Sequence, residues 1–514
     1  MQDFPSFWQA AQQVPEKIAV REVDGRSQTF GELLQKSNQI AQGLQELGLV
    51  EGDNVAILLP NCLEVFEVFF ATSQIGLYFT SVNHVLTATE IAYILDNSEA
   101  KRLFIHQSYR DKLTEALAYS EFPLEHCIWV GDSDDSSDDK QQSYSLFQSQ
   151  QTAELPAQRR AGQTMLYSSG TTGKPKGVRH PLPSSSPGDF YACRGNALSI
   201  FGVKPYSGVH LVNGPLYHAG PLQFAAVSLH FGHTVVITGK WDAQRCLQLL
   251  GEHSITTTMM VPTMFVRLLA LPIEERQNWN FPELAVVISS AASCAVPVKR
   301  EMIEWFGPVI FDFYGGTEGP GAACSSAQWL EKPGTSGPPV PTVSMKIFND
   351  DGDELPPGEI GTVYLTPVQG ASLPQYYKDR DKSVSVIKGD YFTIGDMGYL
   401  DEDGWLFLVD RRSDLIISGG VNIYPSEVEQ ALIQHPSVAD VAVVGKPDDE
   451  WGHSVCAFIV TEQAAKNAID LRQQIYDFAA LRLAKYKLPK EIQFVKELPR
   501  ADNGKLYRRR LLES

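Results

Sequence analysis

The sequence predicts an α/β protein: a large N-terminal domain of helix-flanked, mainly parallel β-sheets, followed by a small α+β unit. Three observations carry this. Apolar strands alternate with amphipathic helices through the first hundred residues, the order that builds parallel sheets with helices on their faces. Residues 165–180, MLYSSGTTGKPKGVRH, run a strand into a glycine-rich loop that cannot pack a core. After about residue 414 the strand–helix pattern starts again on a smaller scale.

The elements follow from local chemistry. Thr29-x-x-Glu32 is a capping-box signature. Behind it Phe30, Leu33, Leu34, Ile40, Leu44 and Leu47 recur at helical spacing, and Gly48 ends the run. Val55 to Leu59 reads as a buried strand, Leu63 to Ile75 as an apolar helix. Thr87-x-x-Glu90 caps a third helix, and Arg102 to Ile105 is the next strand. Residues 132–152 are polar and acidic, which predicts a solvated loop, and PSSSPG at 183–188 predicts another. DEDG at 401–404 is a turn between two strands. Beyond it Ser426-x-x-Glu429 opens a helix, 438–444 and 455–460 read as strands, and 471–483 as a helix. No repeat recurs at a fixed period.

Composition bounds the function. The chain has 514 residues, too many for one ordinary domain. Hydrophobic content of 43% and charged content of 20% fit a globular protein. A net charge of −18 argues against a nucleic-acid partner, because phosphate backbones attract basic surfaces. No apolar run reaches membrane-spanning length, and MQDFPSFWQAAQQ is not a signal peptide. Peripheral membrane contact and oligomers stay open. The seven cysteines are scattered and form no C-x-x-C pair, so a reducing cytoplasm is the expected home. The charge is uneven: residues 481–514 hold ten Lys or Arg against four Asp or Glu, either a solvated basic face or a surface that meets phosphates.

Within the loop, Gly170, Gly173 and Gly177 let the backbone turn tightly and approach a ligand. Ser168, Ser169, Thr171 and Thr172 add hydroxyl donors, and Lys174 and Lys176 add positive charge. Oriented N–H groups and cations of this kind suit a polyphosphate; the same composition also suits a surface loop. It is not a Walker A loop, because Pro175 follows Lys174 where Ser or Thr should stand.

Five segments in order tip the balance: SSGTTGKPKG at 168–177, PLYHAGP at 215–221, FDFYGGTEG at 311–319, GDYFTIGDMGYLDEDGWLFLVDRRSDLIISGG at 389–420, and PRADNGK at 499–505. Together they resemble the adenylate-forming superfamily of acyl-CoA synthetases, luciferases and peptide-synthetase adenylation domains. The likeness spans nearly the whole chain and is nearest to a bacterial-type fatty acyl-CoA ligase. It implies an N-terminal adenylation domain at 1–410 that includes a β-barrel subdomain, a hinge at 411–414 and a mobile lid at 415–514. It also implies ATP and Mg²⁺, with CoA as cosubstrate: a carboxylate attacks the α-phosphate, pyrophosphate leaves, and a thiol then takes the acyl group from the adenylate.

The resemblance assigns roles residue by residue. Lys505 matches the catalytic lysine, where positive charge is needed as two anions meet. Glu318 matches the magnesium-linked glutamate, and Thr317 beside it would contact the α-phosphate. Tyr314, Gly315 and Gly316 match the adenine-binding segment. Asp396 matches the acceptor of both ribose hydroxyls, and Arg411 an arginine near the ribose or phosphates. His218 falls at an aromatic gate, Ser290, Ala291 and Ala292 along the acyl pocket, and Gly419 and Gly420 on the pantetheine path. Two positions depart from the family pattern, Ser413 at the hinge and Pro338 in GTSGPP. Small apolar residues in SSAASCAVP at 289–297 disfavour an amino acid and suit a lipophilic acid: a medium- or long-chain fatty acid, a steroid-type acid or an aryl acid. Rival readings are an enzyme loading a carrier protein, a luciferase-like oxygenase and a nonenzymatic nucleotide sensor.

Overall fold

The computed structural model describes residues 4–131, 142–168, 175–369, 371–419, 421–448, 451–461, 468–500, 504 and 506–512. Both predicted capping boxes form. Thr29 accepts from the Glu32 N–H and starts helix Phe30–Glu46, and Thr87 does the same for helix Ala88–Ser98. The predicted strands appear at Asn54–Leu58 and Ala100–His106, with helix Leu63–Gln74 between them.

Two eight-stranded sheets dominate. The first runs, from edge to edge, Gly319–Cys324, Ile310–Gly316, Val286–Ser289, Thr257–Met260, Val209–Val212, Thr234–Ile237, Ile18–Glu22 and Ser27–Thr29. Its six interior strands are parallel, and its two edge strands pair antiparallel. The second runs Gln375–Tyr376, Lys176–Arg179, Gln163–Ser168, Tyr78–Ser81, Asn54–Leu58, Ala100–His106, Cys127–Val130 and Gln142–Ser143. Between the sheets lie helices Leu63–Gln74 and Ala219–His230. Their Phe66, Phe69, Phe70, Leu222 and Leu229 share one core with Val55 and Ile57 of the second sheet and Val20, Val235 and Ile237 of the first. Helices cover both outer faces, giving five alternating layers. Strands buried on both sides must be apolar throughout, as Asn54–Leu58 nearly is.

A third, antiparallel sheet of six strands spans 345–411 around Val363, Leu365, Phe392 and Leu406. Met345–Phe348 pairs with Gly361–Leu365 and Asp396–Leu400 with Leu406–Arg411, and no ladder among the described residues joins the first of these strands to the last. The smaller C-terminal domain has its own five-stranded sheet and core, with Ile423, Val428, Val443 and Ile475 fully buried. No helix of the described residues is long and apolar enough to cross a membrane.

Three local expectations change. The segment 132–152 is not all loop: strand Gln142–Ser143 and helix Tyr144–Ser149 form in its second part. Phe147 packs where Gly43 has no side chain, and the Tyr144 hydroxyl donates to the buried Glu67. These burials outweigh the polar composition. Helix Pro187–Gly195 begins inside PSSSPG, with Ser186 Oγ accepting from the Asp189 N–H at 3.2 Å. In the C-terminal domain, helix Pro425–Leu432 starts with a proline in its first turn, so Ser426 lies inside it and Tyr424 is the cap. Glu429 is drawn away from any capping role, accepting from Arg508 at 2.7 and 2.8 Å.

Candidate active site

Parallel strands place their carboxyl ends on one side of a sheet, where loops can form a crevice. Here both large sheets contribute. One cavity of about 3460 Å³ is lined by Asn61 and Asn83, by Ser168, by Gly214 and His218, by Val261 and Thr263, by Ser289–Ala292 and by Tyr314–Glu318. Each lies at or just past the end of a strand. Asp396 and Arg411 of the third sheet and Gly504 of the C-terminal domain complete the wall.

The segment YGGTEG owes its shape to glycine. Strands Ile310–Gly316 and Gly319–Cys324 form a hairpin with Gly316 opposite Gly319, leaving Thr317 and Glu318 as its two-residue tip. A Cβ on Gly315 would sit 2.8 Å from the Gly319 carbonyl oxygen, so no side chain fits there. Lys299, fully buried, pairs with Asp312 and fixes the strand that carries the hairpin. Tyr314 is 8% exposed and its hydroxyl donates to Asp396 Oδ2 at 3.1 Å. Burial, then the Asp396 charge, raises its phenol well above the ordinary value. Arg411 Nε lies 3.4 Å from Asp396 Oδ1. A carboxylate offers about four acceptor sites, which makes Asp396 a multiple acceptor on this wall.

The glycine-rich loop leaves strand Gln163–Ser168 and returns on Lys176–Arg179, with Ser168 opposite Lys176. Lys176 has its amine lowered from the ordinary value, first by burial and then by Lys382. A polyphosphate beside it would reverse that effect. Ser169, Gly170, Thr171, Thr172, Gly173 and Lys174 lie outside the described residues, as do Lys505 and Gly420. Gly504 is described: a side chain on it would run into Thr263 and Val261, so this point of the C-terminal domain docks on the cavity wall. Gly419, by contrast, does not line the cavity; it packs under Trp451, with its N–H donating to the Trp451 carbonyl at 2.8 Å.

His218 caps helix Ala219–His230, beside the Tyr217 ring at 4.5 Å. On the same helix, Phe224 meets Phe313 edge to face at 5.5 Å, and Met259 fills the space left by Gly220. Ser290 Oγ donates to the Phe313 carbonyl at 2.7 Å, and Ala291 adopts φ 72°, an uncommon value for a residue with a side chain. His218, Ser290, Ala291 and Ala292 all line the same cavity.

Three further residues escaped the sequence reading. Asn61 Nδ2 donates to the carbonyls of Gly214 and Thr238 at 3.0 and 3.1 Å, and its Oδ1 accepts from the Leu216 N–H at 2.8 Å, fixing the PLYHAGP loop. Ser81 Oγ donates to the Tyr217 carbonyl at 3.1 Å. Tyr376 donates its hydroxyl to Glu318 Oε1 at 2.9 Å. Only the Pro-Asn pair ending a strand hinted at the first, and nothing local marks the other two.

Comparison with known proteins decides the family. The AMP-binding enzyme model matches residues 7–377, and the AMP-binding enzyme C-terminal domain model matches 427–505. The chain belongs to the AMP-binding enzyme family. The fatty acid–[acyl-carrier-protein] ligase ScoC of Streptomyces coeruleorubidus is 32% identical, covering 95% of this chain and 92% of that protein. The 2-succinylbenzoate–CoA ligase of Bacillus cereus is 30% identical over 99% of this chain and 98% of its own. Among solved structures, the anthranilate CoA ligase AuaEII in complex with anthranoyl-AMP superposes with TM-score 0.85 at 26% identity, covering 99% and 97% of the two chains. The o-succinylbenzoate CoA synthetase of Bacillus subtilis, bound to its acyl-adenylate, gives 0.82 at 28% identity, with 99% and 98% covered. This AMP-binding enzyme is an AMP-forming acid–thiol ligase, working through an acyl-adenylate. Ligases of this class use ATP, Mg²⁺ and CoA. The residues fit the metal: Glu318 is a carboxylate on the cavity wall, and Mg²⁺ takes one or two carboxylates together with phosphate oxygens.

Proposed function

We propose that this AMP-binding enzyme activates a lipophilic monocarboxylic acid, fatty or aryl, and transfers it to CoA. The observation that carries the reading is an apolar stretch of the cavity wall: Phe201, Phe224, Val227, Met259 and Phe313 belong to one hydrophobic cluster. A second carboxylate pressed there would lose its hydration without a partner, at a cost of several kcal/mol.

In this reading Tyr314 lies against adenine, Asp396 accepts the ribose hydroxyls, and Arg411 stands by the ribose. The 168–177 loop, with Ser168 and Lys176 at its ends, wraps the phosphates. Bound at Glu318, Mg²⁺ supplies charge neutralisation of the polyphosphate. Thr317 donates to the α-phosphate, and Lys505 offsets the charge that builds as the two anions meet. His218 separates the acyl pocket from the thiol path.

We further propose a lid that turns about Ser413, with domains at 1–410 and 415–514. Its neighbours support this placing. Arg412 holds Asp350 at 2.6 Å and Thr362 Oγ1 at 3.0 Å on the large domain, while Asp414 pairs with Arg508 of the small one at 2.9 Å. Gly504 at the cavity suits adenylation; Gly419, now outside it, would enter after rotation to line the pantetheine path with Gly420. A reducing cytoplasm suits the seven free cysteines.

The test is a panel of decanoate, palmitate, benzoate, anthranilate, 2-succinylbenzoate and malonate, assayed for AMP release and acyl-CoA formation. Lipophilic monoacids should lead, and a malonate or 2-succinylbenzoate maximum would refute the pocket reading. A carrier-protein thiol is the second reading, favoured by the likeness to ScoC. Faster transfer to a holo-carrier protein than to CoA would establish it.

A further inference from the structure

The short strand Gln375–Tyr376 joins two parts of the site that are far apart in sequence. It pairs antiparallel with Lys176–Arg179, the strand on which the glycine-rich loop returns, with Tyr376 opposite Val178. The next residue, Tyr377, donates its N–H to the Gly177 carbonyl at 2.8 Å. From this strand the Tyr376 hydroxyl reaches Glu318 Oε1 at 2.9 Å, and the Lys176 amine lies 5.9 Å from the centre of the same ring. The ring is 8% exposed and packed on Val178 and Val386, so it has little freedom to turn away.

We propose that Tyr376 is a positioning residue for the metal-linked carboxylate, tying Glu318 to the strand that closes the phosphate loop. The inference rests on the reading of Glu318 given above. One carboxylate oxygen is occupied by the phenol, which fixes the plane of the group and leaves Oε2 to face a cation. Oε2 lies only 2.7 Å from the point a Cβ on Gly316 would occupy, so the glycine keeps that side open. Because one strand carries both contacts, the metal carboxylate and the loop end are held in one frame.

The test is ATP binding by calorimetry, with and without Mg²⁺, for the wild type, Tyr376→Phe and Glu318→Ala. The phenylalanine keeps the ring and removes only the hydroxyl. Tyr376→Phe should lose about tenfold of the Mg²⁺-dependent gain in ATP affinity, the scale of a hydrogen bond to a charged group. Its affinity for AMP and its melting temperature should stay at wild-type values. The adenylation half-reaction should slow, while thioester formation from preformed acyl-adenylate, which involves no polyphosphate, should keep its rate. If Glu318→Ala abolishes the Mg²⁺ effect and Tyr376→Phe leaves it intact, the positioning role is overturned and the reading of Glu318 survives. If neither variant alters it, the reading of Glu318 falls, and the inference with it.

Discussion

Replacing Asp396 by alanine should remove the ribose from the account of ATP binding. The side chain starts strand Asp396–Leu400 and the residue is 8% exposed. One oxygen is 3.1 Å from the Tyr314 hydroxyl and the other 3.4 Å from Arg411 Nε. The same carboxylate is what two ribose hydroxyls would use as acceptor. Hydrogen bonds to a charged group contribute about 1.5–3 kcal/mol each, less what water recovers when it fills the gap. The net loss should be roughly 1–3 kcal/mol, or about 5- to 150-fold in ATP affinity. The truncation also leaves the buried Tyr314 hydroxyl without its acceptor, so stability must be separated from binding. Asp396→Asn does this, because its amide oxygen can still serve Tyr314. The assay is calorimetric titration with ATP, 2′-deoxy-ATP and 3′-deoxy-ATP at fixed Mg²⁺. Wild-type enzyme should discriminate against both deoxy nucleotides, and Asp396→Ala should bind all three alike. A folded alanine variant that still prefers ATP by the wild-type margin would refute the assignment.

Lys505→Ala should abolish adenylation, measured by pyrophosphate exchange, yet spare thioester formation from preformed acyl-adenylate, because only the first step brings two anions together. Equal loss of both steps would count against it. Ser413→Pro should impair one half-reaction more than the other, since a proline fixes its own φ and disfavours the helical conformation of the preceding Arg412; unchanged rates in both would move the hinge elsewhere. Ala291→Leu or Ala292→Leu should shift preference toward smaller acids by about 1–3 kcal/mol in discrimination while ATP affinity holds. Ala291 already sits at φ 72°, so the melting temperature of its variant separates backbone strain from a filled pocket. A folded variant with the full acid range would remove these residues from the pocket.

Features that depend on neighbours within a turn or two are legible along the chain. Thr29 and Thr87 cap helices through residues three positions on. The motif order was likewise sufficient for the family and for its acid–thiol ligase chemistry. How these pieces meet is visible only in the folded molecule. Asn61 grips a loop more than 150 residues away, Tyr376 reaches Glu318 across 58, and Gly504 docks on Thr263. It also made a helix of Tyr144–Ser149, because Phe147 found the gap at Gly43, and it kept Gly419 out of the cavity. The physical reason is the same in each case. Capping and turn chemistry are local and can be read along the chain, whereas a site at the carboxyl ends of two stacked sheets is assembled by burial, which depends on the partners that folding brings together.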